Sequence, residues 1–512
     1  MNLAVNQSNK DVIVLMEIIS ELEKKNAILE EKNTYLRYLL SKSLRKRYSP
    51  SSESLEADRQ LTLPFFDEPV VEEPTVIEKA DEEITVASYK RQKGGRRGLP
   101  EWLPRERVIY DLKEEEKICS CGNPLHKIGE TKLEQLQYIP ACMKVIEHIR
   151  VQYGCRGCEE GVKTAEMPSQ IIPKSIATPG LLAHVVVSKY QDHLPLYRQE
   201  QIWQRMGIEI PRSTLCHWIL KLGVAVLPLI KLLIAELISS NYCQADETPV
   251  QVLDQEGKVA TSKSYMWVYA NGPPAKPIII YDYQPTRSGE MASEFLRDFK
   301  GYLQTDGYSG YNELRNREDV TVLGCWAHAR RKFFEVVKAT KDSGKAQIAL
   351  NLIQKLYRVE NHSEHLNSDS IYKLRQERSK PILERLEEFL NSLVDRVPPK
   401  SPFGEAIAYT LNHWGSLNVY LTNGNLRIDN NYIENKIRPF ALGRKNWLFM
   451  GNVDGANAAA NLYSLIESAK ANNLEPYYYL RYIFTRIPLC ENSEELKELL
   501  PHLCDPEVIF KN

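Results

Sequence analysis

Three acidic residues, Asp246, Asp306 and Glu434, have the type and context of metal-binding carboxylates. Hard cations take oxygen ligands, and two Mg²⁺ ions held by three carboxylates can clamp the attacking and leaving oxygens of an in-line phosphoryl displacement. Without a metal, such carboxylates repel one another and raise one another's pKa. For each acid alone, a surface or capping position is the alternative, and Asp306 is also a plausible turn residue before Gly307.

The elements around these acids predict how they meet. NYCQADETPVQVL, SYMWVYA and PIIIYDYQ are rich in β-branched and aromatic residues and are separated by Gly, Pro or Asn, which predicts three antiparallel strands. A helix over Ser288 to Phe299, the strand YLQTD and the strand DVTVLGC with a basic helix after it follow. This order predicts a ribonuclease-H-like domain, with Asp246 in the middle of the first strand and Asp306 at the end of the fourth.

Glu434 belongs to LRIDNNYIENKIRPFALGRKNW, where one acid stands among basic residues. We expect Asp429 and Asn430 to cap this helix and Pro439 to end it. The nearby basic side chains could bind the phosphates of a polyanion beside the acids, and Trp447 could stack on a splayed base. A solvated amphipathic helix is the alternative interpretation. The predicted DNA-contacting residues here are Arg330, Arg331, Arg438, Arg444 and Lys445. His328 is a candidate for touching the scissile phosphate or orienting a carboxylate, and a satisfied core histidine is its alternative.

The segment from Arg331 to Phe403 lacks strand signals and has Leu, Glu, Lys and Arg at helical spacing. It predicts a helical insertion that covers the active site or touches flanking DNA; a packing bundle without such contacts is the alternative.

A second nucleic-acid signal lies in YRQEQIWQRMGIEIPRSTLCHWI, Tyr197 to Ile219. An apolar-periodic helix, Gly207 and a second helix opened by Pro211 give the layout of a helix-turn-helix. Arg212 would then lie near the leading face of the second helix. Helical hairpins of this shape also occur as plain packing units.

Four cysteines predict a zinc site. Cys119 and Cys121 are followed by Cys155 and Cys158, and two close thiolate pairs suit tetrahedral Zn²⁺, which is worth on the order of 10 kcal/mol to a small domain. The CSC pair is one residue tighter than usual, so His126 or Cys142 could replace one ligand. Unligated thiols are the alternative.

The N-terminal 45 residues predict a parallel coiled coil. Leucines recur every seven residues at Leu15, Leu22, Leu29 and Leu36, with Val, Ile, Leu or Asn at the alternate seam position. Asn at that position, as at Asn26 and Asn33, fixes register and favours two strands, so we expect a homodimer. A single amphipathic helix docked on its own chain is the alternative.

The next segment changes charge sharply. Ser49 to Glu83 has eleven Asp or Glu against two Lys or Arg, which predicts a disordered acidic linker. KRQKGGRRG follows, with five basic residues and three glycines. A flexible basic segment can follow a phosphate backbone, and a solvated tail is the alternative. Its candidate DNA-binding residues are Lys90, Arg91, Lys93, Arg96 and Arg97.

Composition limits the function classes. With 66 Lys and Arg against 67 Asp and Glu in 512 residues, any nucleic-acid surface must be a local patch. Neither a signal-peptide core nor an apolar run of about 18 residues is apparent, so we expect no membrane partner and a cytoplasmic protein. Ten cysteines fit a reducing compartment with one metal cluster better than a disulfide framework.

QADETP, QTDGYSGY, GCWAHARRKF and DNNYIENKIRPFALGRKNWLF closely resemble segments of the transposase of the insertion sequence 66 family, a bacterial DDE transposase. The resemblance covers nearly the whole chain. It implies that Asp246, Asp306 and Glu434 are the catalytic triad of a two-magnesium site, and that Cys325 and His328 match a CxxH motif of several DDE superfamilies. It also implies action on the bacterial nucleoid and accessory proteins from the same element. The CSC pair departs from the CxxC of many relatives.

Together these observations predict a multidomain α+β protein. We expect a coiled coil (1–45), an acidic linker and basic segment (46–104), a zinc-binding module (105–165) and a helical DNA-binding region (166–240). A ribonuclease-H-like catalytic domain (241–470) with a helical insertion at about 332–403 and a C-terminal helical segment (471–512) complete the prediction.

The expected chemistry has two steps: water cleaves the phosphodiester at the element's 3′ end, and the released 3′-hydroxyl attacks target DNA. Two rivals stay open, an inactive DNA-binding regulator derived from a transposase and a ribonuclease-H-like nuclease acting on other DNA.

Overall fold

The computed structural model describes residues 143–150, 152–154, 162–164, 166–272, 276–340, 344–363 and 365–511. Two compact units separate after Glu166. In the first, β1 (Gln152–Gly154) and β2 (Val162–Thr164) form an antiparallel pair. The predicted coiled coil, acidic linker and basic segment lie outside the described residues, as do the four predicted zinc ligands.

The second unit begins with four helices that cover the predicted helix-turn-helix. They are α1 (Pro179–Tyr190), α2 (Leu196–Arg205), α3 (Arg212–Ala225) and α4 (Leu227–Ser239). Thr178 caps α1, because its side-chain oxygen accepts a hydrogen bond from Leu181 N. Gly223 lets α3 approach a later helix, since a Cβ there would lie 2.5 Å from the Cβ of Ala458.

A mixed sheet follows, with short helices between the third and fifth of its strands in chain order. The strands are β3 (Tyr242–Asp254), β4 (Lys263–Ala270), β5 (Ile279–Gln284), β6 (Gly301–Gln304), β7 (Val320–Leu323) and β8 (Met450–Asn452). Between them lie α5 (Gly289–Phe295), a 3₁₀ turn (Ser309–Tyr311) and α6 (Asn312–Arg315). The helix predicted over Ser288 to Phe299 is therefore shorter than expected.

The strand order is β5-β4-β3-β6-β7 in the described part of the chain, and β8 also pairs with β3. β3, β4 and β5 are antiparallel neighbours, whereas β6 runs parallel to β3 and β7 parallel to β6. The parallel register places Gln244 opposite Gln304. Two positions further along lie Asp246, still within β3, and Asp306, just past the end of β6, so the two acids stand at matching positions along neighbouring segments.

Between β7 and β8 the described residues contain helices and turns and no strand. The helices are α7 (Trp326–Thr340), α8 (Lys345–His362), α9 (Ser368–Leu374), a π-helical turn (Arg375–Ser379), α10 (Lys380–Asn391), α11 (Pro402–Asn412), α12 (Trp414–Asn418) and α13 (Asn431–Trp447). Two 3₁₀ turns, Val394–Arg396 and Val419–Thr422, join them.

The prediction that Pro439 ends the Glu434 helix is wrong. α13 continues for eight residues past Pro439, because Ile433, Ile437, Phe440 and Gly443 form one buried stripe at helical spacing. Packing of that stripe outweighs the hydrogen bond that proline cannot donate. The capping prediction holds only for Asp429, whose Oδ1 accepts from Asn431 N, while the Asn430 side chain makes no cap bond.

The chain closes with α14 (Val453–Ala471), α15 (Pro476–Arg486), a 3₁₀ turn (Ile487–Leu489), α16 (Ser493–Lys497) and α17 (Pro506–Lys511). One hydrophobic core joins the sheet to α1, α3, α4, α13, α14 and α15. A second core lies among α7, α8, α10 and α11 and includes Trp326 and Phe333.

Within the described ranges, no single helix has the length and apolar character needed to span a bilayer. Among these residues, α3 and α4 reach that length and apolar character only when taken together, and they are bent by 47° at their junction. Both helices bury one face in the first core.

Candidate active site

Asp246 occupies β3 close to where β6 joins it, and its carboxylate is largely buried. Its Oδ1 accepts a hydrogen bond of 2.8 Å from Glu247 N. Burial raises the pKa of Asp246 well above its usual range, and the neighbouring carboxylates of Glu247, Asp306 and Glu434 push the pKa the same way. The structure therefore places the Asp306 and Glu434 carboxylates near enough to Asp246 for their charge to act on it.

Asp306 lies two residues beyond β6, in a tight turn. Its Oδ1 accepts from Tyr308 N at 2.8 Å, and its carbonyl accepts from the Tyr409 hydroxyl of α11 at 2.8 Å. Gly307 has φ +89°, and a Cβ there would meet the Tyr409 hydroxyl at 3.2 Å. A glycine after Asp306 is thus required by both backbone conformation and space.

Glu434 projects from the first turn of α13 and meets the start of α7. Its Oε1 lies 3.7 Å from His328 Nε2, and its Oε2 lies 3.5 Å from Arg331 Nη2. Glu434 is 19% exposed, and Oε1 is buried without a hydrogen-bond partner. Glu434, the single acid among the basic residues of this segment, is therefore only weakly paired. One of its oxygens can still accept a hydrogen bond.

The pKa of His328 is lowered from its usual value. Burial lowers the pKa most, Glu434 raises it and Arg331 lowers it further, so the neutral imidazole is favoured. Nε2 of His328 faces Glu434, whereas Nδ1 is buried without a hydrogen-bond partner. A satisfied core histidine would have a partner at that nitrogen.

The donor set fits a hard divalent cation. In the part of the chain that the structure describes, no three His, Cys, Asp or Glu side chains lie together as a group that could hold a metal ion. The mutual repulsion at Asp246 and the unpartnered oxygen of Glu434 are nevertheless what a divalent ion would relieve. Binding would require the three carboxylates to converge further than they do here.

Sequence reasoning missed Glu247, the residue after Asp246. Its side chain is 1% exposed and pairs with Arg287 at 2.6 Å. Its second oxygen accepts from the Tyr311 hydroxyl at 3.1 Å, and the Arg287 guanidinium covers the Tyr308 ring. This group braces the Asp306 turn against β3. The available signal was a second acid directly beside Asp246 in a predicted strand.

The predicted DNA-contacting residues are spread over several elements. Arg331 and Lys445 are exposed, whereas Arg330, Arg438 and Arg444 are half-buried. Arg444 Nη1 donates to Thr248 Oγ1 of β3 at 3.2 Å, so it lies along the strand that carries Asp246. Trp447 is half-buried, packs edge-on against Phe440 at 5.4 Å and lies against the first core. Its role as a base platform stays a prediction.

Arg212 lies apart from the triad, at the exposed start of α3. Its backbone N–H donates to Glu200 of α2 at 2.9 Å, which fixes the second helix of the pair against the first. Ser213 and His217 are exposed on the same helix. The remaining predicted DNA contacts, Lys90, Arg91, Lys93, Arg96 and Arg97, lie outside the described residues.

The sequence matches four family descriptions. Residues 174–458 match "Transposase IS66 family", and residues 464–502 match "IS66 C-terminal element". Residues 116–159 match "zinc-finger binding domain of transposase IS66", a range that contains all four cysteines of the predicted zinc site. Residues 35–108 match "Transposase C of IS166 homeodomain" and include the predicted basic segment.

Two relatives that match most of this chain come from Sinorhizobium fredii (strain NBRC 101917 / NGR234). The protein y4jD is 38% identical over 416 residues, which are 79% of this chain and 81% of y4jD. The protein y4qI is 34% identical over 437 residues, 82% of this chain and 79% of y4qI. Both are described as uncharacterized proteins.

Proposed function

This chain belongs to the transposase IS66 family, and from that premise we propose that it binds the ends of its own insertion sequence, cleaves their 3′ ends in a metal-dependent reaction and transfers them into target DNA. The observation that carries the proposal is the meeting of Asp246, Asp306 and Glu434 from β3, the turn after β6 and α13. Three repelling carboxylates brought together from distant positions suit a cation-dependent reaction better than a structural role.

The proposed catalytic domain is ribonuclease-H-like. The antiparallel strands β3, β4 and β5 are followed by β6 and β7, which run parallel to β3. Helix α7 then follows β7. This order of elements supports the assignment. The helices between β7 and α13 would be an insertion, and the second hydrophobic core gives them a packing role of their own.

In the proposed mechanism, bound Mg²⁺ would neutralise charge on the phosphate and favour the attacking and leaving oxygens in line. Asp246, Asp306 and Glu434 would hold the ions and would not act as nucleophiles. His328, whose Nε2 lies 3.7 Å from Glu434 Oε1, would hold that carboxylate or donate a hydrogen bond to a phosphate oxygen. Both displacements leave no covalent bond to the protein, so positioning and charge neutralisation carry the rate.

Zn²⁺ would stabilise the module before residue 166. The zinc-finger similarity of residues 116–159 supports this role, and Cys119, Cys121, Cys155 and Cys158 are the proposed ligands. The purified protein should carry about one zinc per chain. Cys155→Ser should lose that zinc, whereas Cys216→Ser, which changes an exposed free cysteine of α3, should keep it. Equal zinc in both variants, measured by atomic emission, would contradict the assignment.

Arg444 is proposed as a phosphate contact near the cleavage point. Arg444→Ala should weaken binding to DNA and reduce the slope of log affinity against log salt by about 1, because one phosphate contact is lost. Fluorescence anisotropy across a salt series measures both. Arg297→Ala removes an exposed arginine paired only with Glu294 and should leave the slope unchanged. An unaltered slope for Arg444→Ala would remove the residue from the interface.

The dimer, the accessory proteins and the basic segment complete the proposal. A coiled-coil homodimer would pair two element ends, and Lys90, Arg91, Lys93, Arg96 and Arg97 would track DNA nonspecifically. The similarity of residues 35–108 to a transposase homeodomain element supports a DNA-binding role for that region.

One comparison separates this function from its rivals. Purified protein with Mg²⁺ is given duplexes bearing the element's own ends, unrelated duplexes and branched DNA. Cleavage confined to its own ends, followed by joining to target DNA, is the expected result. Preference for branched DNA would favour a ribonuclease-H-like nuclease, and tight binding to the ends without cleavage would favour an inactive regulator.

A further inference from the structure

Two buried glutamines lie directly behind the acids. Gln244 and Gln304 are both 0% exposed, and they are register partners on the parallel strands β3 and β6. Each stands two residues before an aspartate, in Gln244-Ala-Asp246 and Gln304-Thr-Asp306. The same Gln-x-Asp pattern is therefore repeated on neighbouring strands at matching height.

Gln304 joins four groups. Its Nε2 donates to the carbonyls of Gly324 at 3.2 Å and Arg427 at 2.9 Å. Its Oε1 accepts from Gln244 Nε2 at 2.8 Å and from the Tyr242 hydroxyl. Both donors and both acceptor positions of this amide are used, so its orientation is fixed by its partners.

Gln244 reaches the helix that carries Glu434. Its Oε1 accepts from Ile433 N, one residue before Glu434, at 3.0 Å. Its Nε2 shares two hydrogens among three nearby acceptors, Gln304 Oε1, the Tyr242 hydroxyl at 2.7 Å and the carbonyl of Asp429 at 3.2 Å. A backbone N–H can only meet the amide oxygen, so this side chain is oriented unambiguously as well.

The network thus connects every element of the proposed site. It joins β3 and β6 to each other, to Gly324 at the entry of α7, and to the backbone on both sides of the start of α13. Moving Glu434 relative to either aspartate would break hydrogen bonds between groups that water does not reach. Such losses are costly because buried polar atoms would be left without partners.

We propose that Gln244 and Gln304 form a buried amide bridge that holds the backbone beside Asp246, Asp306 and Glu434 in a fixed arrangement, from which the three carboxylates can close on a divalent cation. The predicted effect on DNA cleavage rests on the proposed function. The fixed arrangement of the backbone around the three acids rests on the hydrogen bonds alone. The glutamines touch neither substrate nor metal and are positioning residues.

The test compares Gln304→Met, which keeps the side-chain length and removes every hydrogen bond, with wild-type full-length protein. Mn²⁺ alone serves as the probe in DNA-free protein, and its binding is measured from the paramagnetic resonance of the free ion. We expect Gln304→Met to weaken Mn²⁺ binding about tenfold and to slow cleavage of the element's ends about 10²-fold, with end binding in chelator unchanged.

Ser468→Ala is the matched control. Ser468 is 0% exposed, and its hydroxyl accepts from Ile279 N and donates to the Ile279 carbonyl at the edge strand β5. Its loss should lower Tm without changing Mn²⁺ affinity or the cleavage rate. Tyr242→Phe, which removes one hydroxyl from the bridge, should fold and shift Mn²⁺ affinity in the same direction as Gln304→Met by a smaller factor.

The outcomes separate the bridge from the function. If Gln304→Met and Tyr242→Phe lower Tm as Ser468→Ala does but leave Mn²⁺ affinity unaltered, the bridge is only structural and the inference fails. If Gln304→Met does not fold, Tyr242→Phe decides by the same criterion. If the wild type binds Mn²⁺ with the expected dependence on Tyr242 and Gln304 but cleaves no DNA, the bridge stands and the proposed function fails.

Discussion

Asp246→Asn and Asp306→Asn should each slow cleavage of the element's ends by about 10³-fold or more, with the affinity for those ends in chelator unchanged. A carboxylate that holds a catalytic cation supplies several kcal/mol of transition-state stabilisation, and every 1.36 kcal/mol corresponds to a factor of ten in rate. Single-turnover rates on a labelled end measure the effect. Asp298→Asn changes an exposed acid of the same type after α5 and should cleave like the wild type.

Asp246→Asn should stabilise the folded protein even though it slows cleavage. The folded pKa of Asp246 is raised, so the ionised carboxylate destabilises the folded state, and this cost is present above the folded pKa and disappears as the pH falls below the unfolded value. Asp246→Asn in chelator at neutral pH should therefore raise Tm by a few degrees. A loss of both activity and Tm would indicate a structural aspartate.

Arg375→Met should remove about 3–5 kcal/mol from the free energy of unfolding. The Arg375 side chain is 3% exposed and forms a two-pronged ion pair with Glu360, at 2.9 and 2.6 Å. It also donates to the carbonyls of Tyr420, Asn423 and Leu426, on the segment that leads to α13. Methionine would leave the Glu360 carboxylate and three buried carbonyls without their donor. Chemical denaturation measures the loss.

Two further variants define that effect. Arg375→Met combined with Glu360→Gln should recover part of the stability, because no charge is then left buried and unpaired. Arg297→Met breaks an ion pair whose members are both 70% exposed and should change stability by about 1 kcal/mol or less. An Arg375→Met variant as stable as Arg297→Met would show that the buried pair contributes little.

The parts of the fold that follow local rules were predictable from the sequence. β3, β4 and β5 appear where β-branched and aromatic residues cluster between turn formers, whereas the strand predicted to end at Asp306 ends two residues earlier, at Gln304. The three acids could be chosen because Asp246 lies within a recognisable strand, Asp306 follows one and Glu434 lies near the start of a helix. Their residue types indicated the chemistry before any contact was known.

The parts set by tertiary packing were not predictable. Pro439 has the local signature of a helix end, yet the buried stripe of α13 carries the helix past it. Arg375 lies in LRQERSKPILERLEE, a polar stretch in which nothing marks one arginine as buried. The repeated Gln-x-Asp spacing was visible, but only the parallel register of β3 and β6 turns it into a bridge.

The most direct test of the central claim maps cleavage at single-nucleotide resolution. Full-length protein is incubated with DNA carrying the gene's own flanking ends, with Mg²⁺ or with chelator, and wild type is compared with Asp306→Ala. We predict nicks at the element's 3′ ends with wild type and Mg²⁺, and none with Asp306→Ala or chelator. Nicks that persist in Asp306→Ala would contradict the assignment of Asp246, Asp306 and Glu434 as the catalytic site.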